Sequence, residues 1–221
     1  MNASPSSPEP IYRGQFGSFT ITDHDRTEVR LYRLGLTLAA LGVMGAVGLV
    51  YLSPPLPILW PTIDGLFALF CLGLGLSLWT IHIYLRPLHR VLQGFWGLGV
   101  MSAIVLRLGQ PQPLAQLAWE HPLSLLGLGL SFVALTGIFF KEAFCFNRWE
   151  TKILTPLVPA ILGGHFLGVL PGNWGLPALM VWAGFMGLFV VRKWLQPIAD
   201  DIGDKSVFEY LKQQQSLGGP L

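Results

Sequence analysis

Apolar runs free of Asp, Glu, Lys and Arg recur along the chain, each roughly 17–22 residues and so long enough to cross a hydrocarbon core as a helix. Short polar connectors separate them. The pattern predicts six transmembrane helices at about 34–52, 64–85, 91–106, 122–140, 153–170 and 175–191. The first carries a stripe of small residues, Gly35, Ala39, Gly42, Gly45 and Gly48, of the kind that lets helix backbones approach closely in lipid. Pro156, Pro159, Gly163 and Gly164 interrupt the fifth.

The flanks read differently. Residues 1–12 are rich in Ser and Pro and read as a disordered lead. A short extended piece follows at 19–22, and Asp25 with Glu28 three residues on marks a helix that begins in water and runs into the membrane. The tail, 196–221, is polar, and SVFEYLKQQQ within it has the pattern of one short amphipathic helix.

Composition agrees with the pattern: of 221 residues, 52% are hydrophobic and only 12% charged, with mean hydropathy +0.55. A soluble domain, with about a quarter of its residues charged, is far more polar. Charge then orients the helices. With six spans, every Lys and Arg except Arg107 falls on one side, which the positive-inside rule assigns to the cytoplasm together with both termini. Trp60, Trp119 and Trp174 mark the outer interface, and Trp79, Trp96, Trp149 and Trp194 the inner one; Trp182 alone sits at mid-span. The fold expected is an all-α polytopic bundle, with the lipid bilayer as its first partner. A net charge of +2 spread over connectors gives no nucleic-acid face. Four acids in the first 32 residues argue against a cleavable signal, and the two cysteines, Cys71 and Cys145, are too far apart for a CxxC site.

Polar chemistry is densest between Lys141 and Lys152, KEAFCFNRWETK. Glu142, Cys145, Arg148 and Glu150, with His89 from the connector RPLHR, read as a cytoplasmic docking surface for a membrane-protein partner. If the fourth helix continues, Glu142 and Cys145 share one face, where His89 could complete a metal or thiol–base site. His165 is the second focus, because an ionisable group deep in a span is functional by default. Gly163, Gly164 and Gly168 leave side chains missing around it, so a tetrapyrrole, haem or chlorophyll, is the ligand its imidazole could bind; a neutral histidine bonded to a neighbouring helix is the plainer alternative. His82 is a third candidate for cofactor binding, seven residues before His89. Asp64 is placed to interact with the dipole of its own helix, and Glu120 with His121 could form an outer proton-entry pair. No P-loop, GxSxG, HExxH or CxxCH motif occurs, so no catalytic residue is assigned.

The stretches FGSFTITDHDRTEVRLYRLGL, LFALFCLGLGLSLWTIHIYLRPLHR and GIFFKEAFCFNRWETKILTPLVPAILGGHF resemble an uncharacterised family of integral membrane proteins of cyanobacteria and related plastids. The resemblance spans about residues 12–210 and implies a thylakoid or plasma membrane, without supplying catalytic residues. The function expected is a non-enzymatic accessory protein supporting a larger photosynthetic-membrane complex. The alternatives are a small transporter or channel built on an inverted repeat, and a membrane enzyme acting on a lipid, quinone or pigment through His165 or the Cys145 loop.

Overall fold

In the computed structural model, which describes residues 10–52, 58–83, 86–207, 210 and 213, two short strands precede a set of long helices. The chain runs β1 (Ile11–Gly14), β2 (Gly17–Thr20), α1 (Asp23–Leu52), α2 (Leu59–Thr80), α3 (Arg86–Gly109), α4 (Leu114–Glu120), α5 (Leu125–Phe146), α6 (Trp149–Phe166), α7 (Gly175–Leu195) and α8 (Ile198–Ile202). Among the described residues, five helices are long and apolar enough to cross a membrane: α1, α2, α3, α7 and the segment Pro122–Phe146 containing α5. The 18-residue α6, with Glu150 in its first turn and two internal prolines, is not among them.

Close backbone approach holds α1 against α2. A Cβ on Gly35 would lie 2.6 Å from the Gly73 carbonyl oxygen, and one on Gly73 would lie 2.5 Å from the Ala39 nitrogen. Only glycine fits that crossing, and the Ser77 hydroxyl seals it by donating to the Tyr32 carbonyl at 3.0 Å. The small-residue stripe therefore works from Gly35 through Gly42, where a Cβ would lie 2.6 Å from the Leu66 carbonyl oxygen, and loosens beyond it; Gly48 faces open space. Around the bundle α1 also packs on α7, α5 on α3 and α6, and α6 on α7. Leu36, Leu74, Leu135, Ile138, Phe139, Leu154, Met186 and Phe189 fill the interior.

Several boundaries differ from the sequence reading. The lead was expected to be disordered through residue 12, but Ile11 and Tyr12 lie in β1, where Tyr12 pairs with Phe19 and stacks on it at 5.7 Å; residues 1–9 lie outside the described set. Helix α1 starts one turn earlier than expected. Thr22 and Asp25 form a reciprocal cap, with the Thr22 N–H and hydroxyl donating to the Asp25 carboxylate at 2.7 and 2.8 Å and the Asp25 N–H to Thr22 Oγ1 at 3.3 Å. Helix α2 stops at Thr80, leaving His82 outside it.

The tail does not hang free from residue 196. It folds back so that α8 and the hairpin share a second small core of Ile21, Val29 and Ile202. The Gln15 N–H donates to Asp204 Oδ2 at 2.6 Å and the Phe16 N–H to Ser206 Oγ at 3.0 Å. The Ser206 hydroxyl and the Gln15 N–H hold the Asp204 carboxyl below its ordinary range. The expected amphipathic helix in SVFEYLKQQQ falls largely outside the described residues. Both chain segments thus meet at one end of the bundle.

Candidate functional site

Two regions concentrate the chemistry, one at each end. At the end where the hairpin and α8 meet, charges are buried among α1, α5, α6, α7 and α8. Lys193 of α7, fully buried, pairs with Glu142 Oε2 at 2.6 Å and with Asp201. The second Glu142 oxygen accepts from Lys141 Nζ and from the Tyr32 hydroxyl, both at 2.9 Å. Arg33 grips Asp201 through Nε at 2.9 Å and Nη2 at 2.6 Å, and donates to the carbonyls of Gln196 and Pro197. Glu150, also fully buried, takes Arg148 at 3.2 Å and Arg192 at 2.7 Å. The Phe146 ring covers the ammonium groups of Lys141 and Lys193 at 4.8 and 4.5 Å.

This network corrects the docking surface expected at 141–152. Glu142, Arg148 and Glu150 are buried and spent on internal ion pairs, because helix ends meeting away from water must satisfy their charges on one another. Helix α5 does continue to Phe146, and Cys145 is exposed on it. His89 Nε2 lies 2.6 Å from the Leu78 carbonyl and 3.2 Å from Gln93, engaged in joining α3 to the end of α2. His82 faces Glu28 of α1 at 3.2 Å, and burial pushes its imidazole below its ordinary pKa although Glu28 pulls the other way. Potential metal ligands gather at His24, Asp25 and Glu28, but Asp25 is committed to Thr22 and Lys205 and His24 is open to solvent.

At the opposite end, an apolar cavity of about 270 Å³ lies among α1, α2, α4, α5, α6 and α7. Trp60, Phe67, Phe70, Phe132, Trp119 and Trp182 supply aromatic walls, and His165 reaches it from the last turn of α6. Helix α4 borders it through Ala115, Ala118 and Trp119, with the Trp119 indole stacked on the His165 imidazole at 5.0 Å. Asp64 sets α4 in place: its two carboxylate oxygens accept the N–H groups of Leu114 and Ala115, each at 2.8 Å. The dipole that Asp64 meets is therefore that of α4, not of its own helix. Gly168, at φ +67°, ends α6, and a Cβ on Gly164 would touch Leu170 at 3.4 Å. Gly168 thus serves the reversal into α7, whereas a Cβ on Gly164 would make an ordinary contact and Gly163 faces open space.

Two of the residues lining this cavity each carry a buried nitrogen without a hydrogen-bond partner, Trp182 Nε1 and His165 Nε2. Trp182 is only 5% exposed. The indole N–H groups of Trp96 and Trp194, by contrast, donate to the Cys71 carbonyl at 2.8 Å and to Thr37 Oγ1 at 2.9 Å. A buried N–H left unpaired costs about 1–3 kcal/mol. A second cleft of about 310 Å³ runs between α5 and α6 past Gly129, Thr136, Pro159 and Gly163, and shares Leu125, Phe132 and Leu162 with the first. The sequence signalled His165 by its depth and Trp182 by its mid-span position. Nothing in it showed that the two line one cavity, nor that Tyr32, Arg33, Lys193 and Asp201 join Glu142.

Helices of this length and hydropathy around a lipid-like interior define an integral membrane protein that crosses the bilayer several times. The chain belongs to the family described as uncharacterized integral membrane protein (DUF2301), whose model matches residues 76–210. A protein of Haemophilus influenzae, described only as uncharacterized, is 28% identical over 187 residues, covering 84% of this chain and 92% of the relative. No solved structure matches.

Proposed function

We propose that the protein is a non-enzymatic membrane protein that holds a hydrophobic small molecule in the cavity beside His165. The observation that carries this reading is the pair of unpartnered nitrogens, Trp182 Nε1 and His165 Nε2, at an otherwise apolar, aromatic-walled space. Small-molecule sites have this make-up, mostly apolar with a few placed polar groups. The volume, about 270 Å³, suits a single-ring head group better than the four rings of a tetrapyrrole. Mass spectrometry of organic extracts from the purified protein tests the reading. A molecule recovered near stoichiometry from wild type, and lost when Ala46→Phe fills the cavity, supports it; identical extracts from both proteins refute it.

The topology that goes with this reading has six crossings and both termini in the cytoplasm. The contact of Arg33, at the start of the bundle, with Asp201, beyond its end, supports an even number of crossings between them. Five helices qualify by length and hydropathy. Helix α6 supplies the sixth, running from Glu150 at the ion network to His165 at the cavity, about 22 Å at 1.5 Å per residue.

A lateral accessory role, supporting a larger membrane complex, is a second reading favoured by α3. Leu98, Met101, Val105 and Leu108 of that helix are exposed, and Gly94 and Gly97 have nothing within 4 Å of a built Cβ, as close approach of a partner helix requires. A photosynthetic complex is one such partner. Similarity to a Haemophilus influenzae protein over most of both chains favours a role not confined to photosynthetic membranes. Cross-linking from Gly97→Cys to a distinct membrane protein supports this role; cross-links to lipid alone count against it.

A further inference from the structure

Building on that cavity reading, we infer that the ligand is a prenylated quinone, a flat ring bearing carbonyl oxygens with a long apolar tail. Three features converge on this class. Trp182 Nε1 can only donate, so its partner must be an acceptor, and a carbonyl oxygen accepts without bringing a donor of its own into an apolar space. His165 Nε2 offers a second hydrogen-bonding atom at the same cavity, and a quinone carries a second oxygen. The aromatic lining, with Phe67, Phe70, Phe132 and Trp119 among it, suits a planar ring better than a branched headgroup.

The tail has its own place. The α5–α6 cleft shares Leu125, Phe132 and Leu162 with the head-group cavity and continues past Gly129 and Gly163, where no neighbour lies within 4 Å of a built Cβ. A chain of isoprene units leaving the ring there would lie between two helices facing lipid. A phosphate headgroup finds no Lys or Arg in the cavity lining, where His165 is the one titratable side chain. A fatty acid or sterol remains the competing class, and the test separates it.

Binding of tritiated decylubiquinone to bead-immobilised, detergent-purified protein is measured by scintillation proximity, with unlabelled decylubiquinone or decylbenzene as competitor. Decylbenzene has the tail and a ring but no oxygen. Expected are saturable binding, competition by decylubiquinone at least tenfold stronger than by decylbenzene, and a loss of several-fold to about tenfold in quinone affinity in Trp182→Phe, which keeps an aromatic ring and removes the N–H. Equal competition by the two compounds on wild-type protein overturns the quinone assignment while leaving the cavity reading in place, and does not depend on the variant folding. Failure of both compounds to bind, with no extractable ligand, removes the cavity reading as well.

Discussion

The indole of Trp119 lies against the imidazole of His165, ring centroids 5.0 Å apart and 20° from parallel, and this stack ties the seven-residue α4 to the end of α6. So short a helix has little stability of its own. Its position rests on that stack, on Leu114 and Leu117 buried beneath it, and on the Asp64 carboxylate at its first N–H groups. Asp64→Ala should therefore cost about 1 kcal/mol, and the loss should be local. Hydrogen exchange across residues 114–120 is expected to quicken while α1 and α2 stay protected. Uniform quickening over the whole bundle would show that Asp64 matters to global stability and not to α4 in particular.

The Glu142–Lys193 pair should behave as a buried ion pair does when one partner is removed. Glu142→Gln leaves Lys193 and Lys141 facing each other across a shared carboxamide, and the expected loss is about 3–5 kcal/mol. Thermal unfolding in detergent measures it. Cys145→Ser, three residues on and exposed, is the control and should melt with wild type. Equal melting of Glu142→Gln and wild type would mean the network is solvated and contributes little.

How much of this was legible in the sequence follows from what each feature depends on. Helix positions depend on runs of apolar residues, which the chain displays directly, so α5 and α7 emerge close to where hydropathy puts them. The ends of α1 and α2 were misplaced by local chemistry: Thr22 caps the one, and the other stops short of His82. Charges were harder. Lys193 and Arg33 look like ordinary interfacial residues by position, and only the meeting of five helices shows that they neutralise Glu142 and Asp201 in the interior. The cavity depended on register. His165 and Trp182 are distant in sequence and share a space only because α6 and α7 are antiparallel neighbours.

The α1–α2 crossing should be intolerant of any Cβ. Gly73→Ala places a carbon within 2.6 Å of backbone atoms on α1, and neither helix can yield without moving the whole interface. Overpacking of this kind costs about 1–3 kcal/mol. Gly65→Ala, with open space around its Cβ, serves as the matched change in the same helix and should be neutral or slightly stabilising. Melting temperatures of the two variants decide it, and equal values would contradict so close a backbone approach.

His82 should make stability depend on pH near neutrality. Burial lowers its pKa from the ordinary value of 6.5, so the folded protein binds this proton less readily than the unfolded chain. The contribution is then complete above the unfolded value and declines as pH falls toward the lowered folded one. Wild type is expected to lose more melting temperature than His82→Gln between about pH 7.5 and about pH 5.5. The opposite sign, with acid stabilising wild type relative to the variant, would mean that the Glu28 contact outweighs burial and holds the imidazolium in place.

The two native cysteines allow topology to be read without engineering. Cys145 is exposed at the end of α5 that carries the ion network and both chain segments, whereas Cys71 is buried against Ser131 in mid-bundle. With that end in the cytoplasm, a membrane-impermeant maleimide added to intact cells should leave both unlabelled, and permeabilised cells should show labelling at Cys145 alone. Gln112→Cys, in the connector between α3 and α4, should label in intact cells. The comparison bears on α6 directly. If α6 failed to cross, residues on either side of it would share one face of the membrane, so Asn173→Cys, in the α6–α7 connector, would follow the Cys145 pattern. With α6 crossing, Asn173→Cys labels from outside together with Gln112→Cys, and the pairing of Arg33 with Asp201 is met by six crossings.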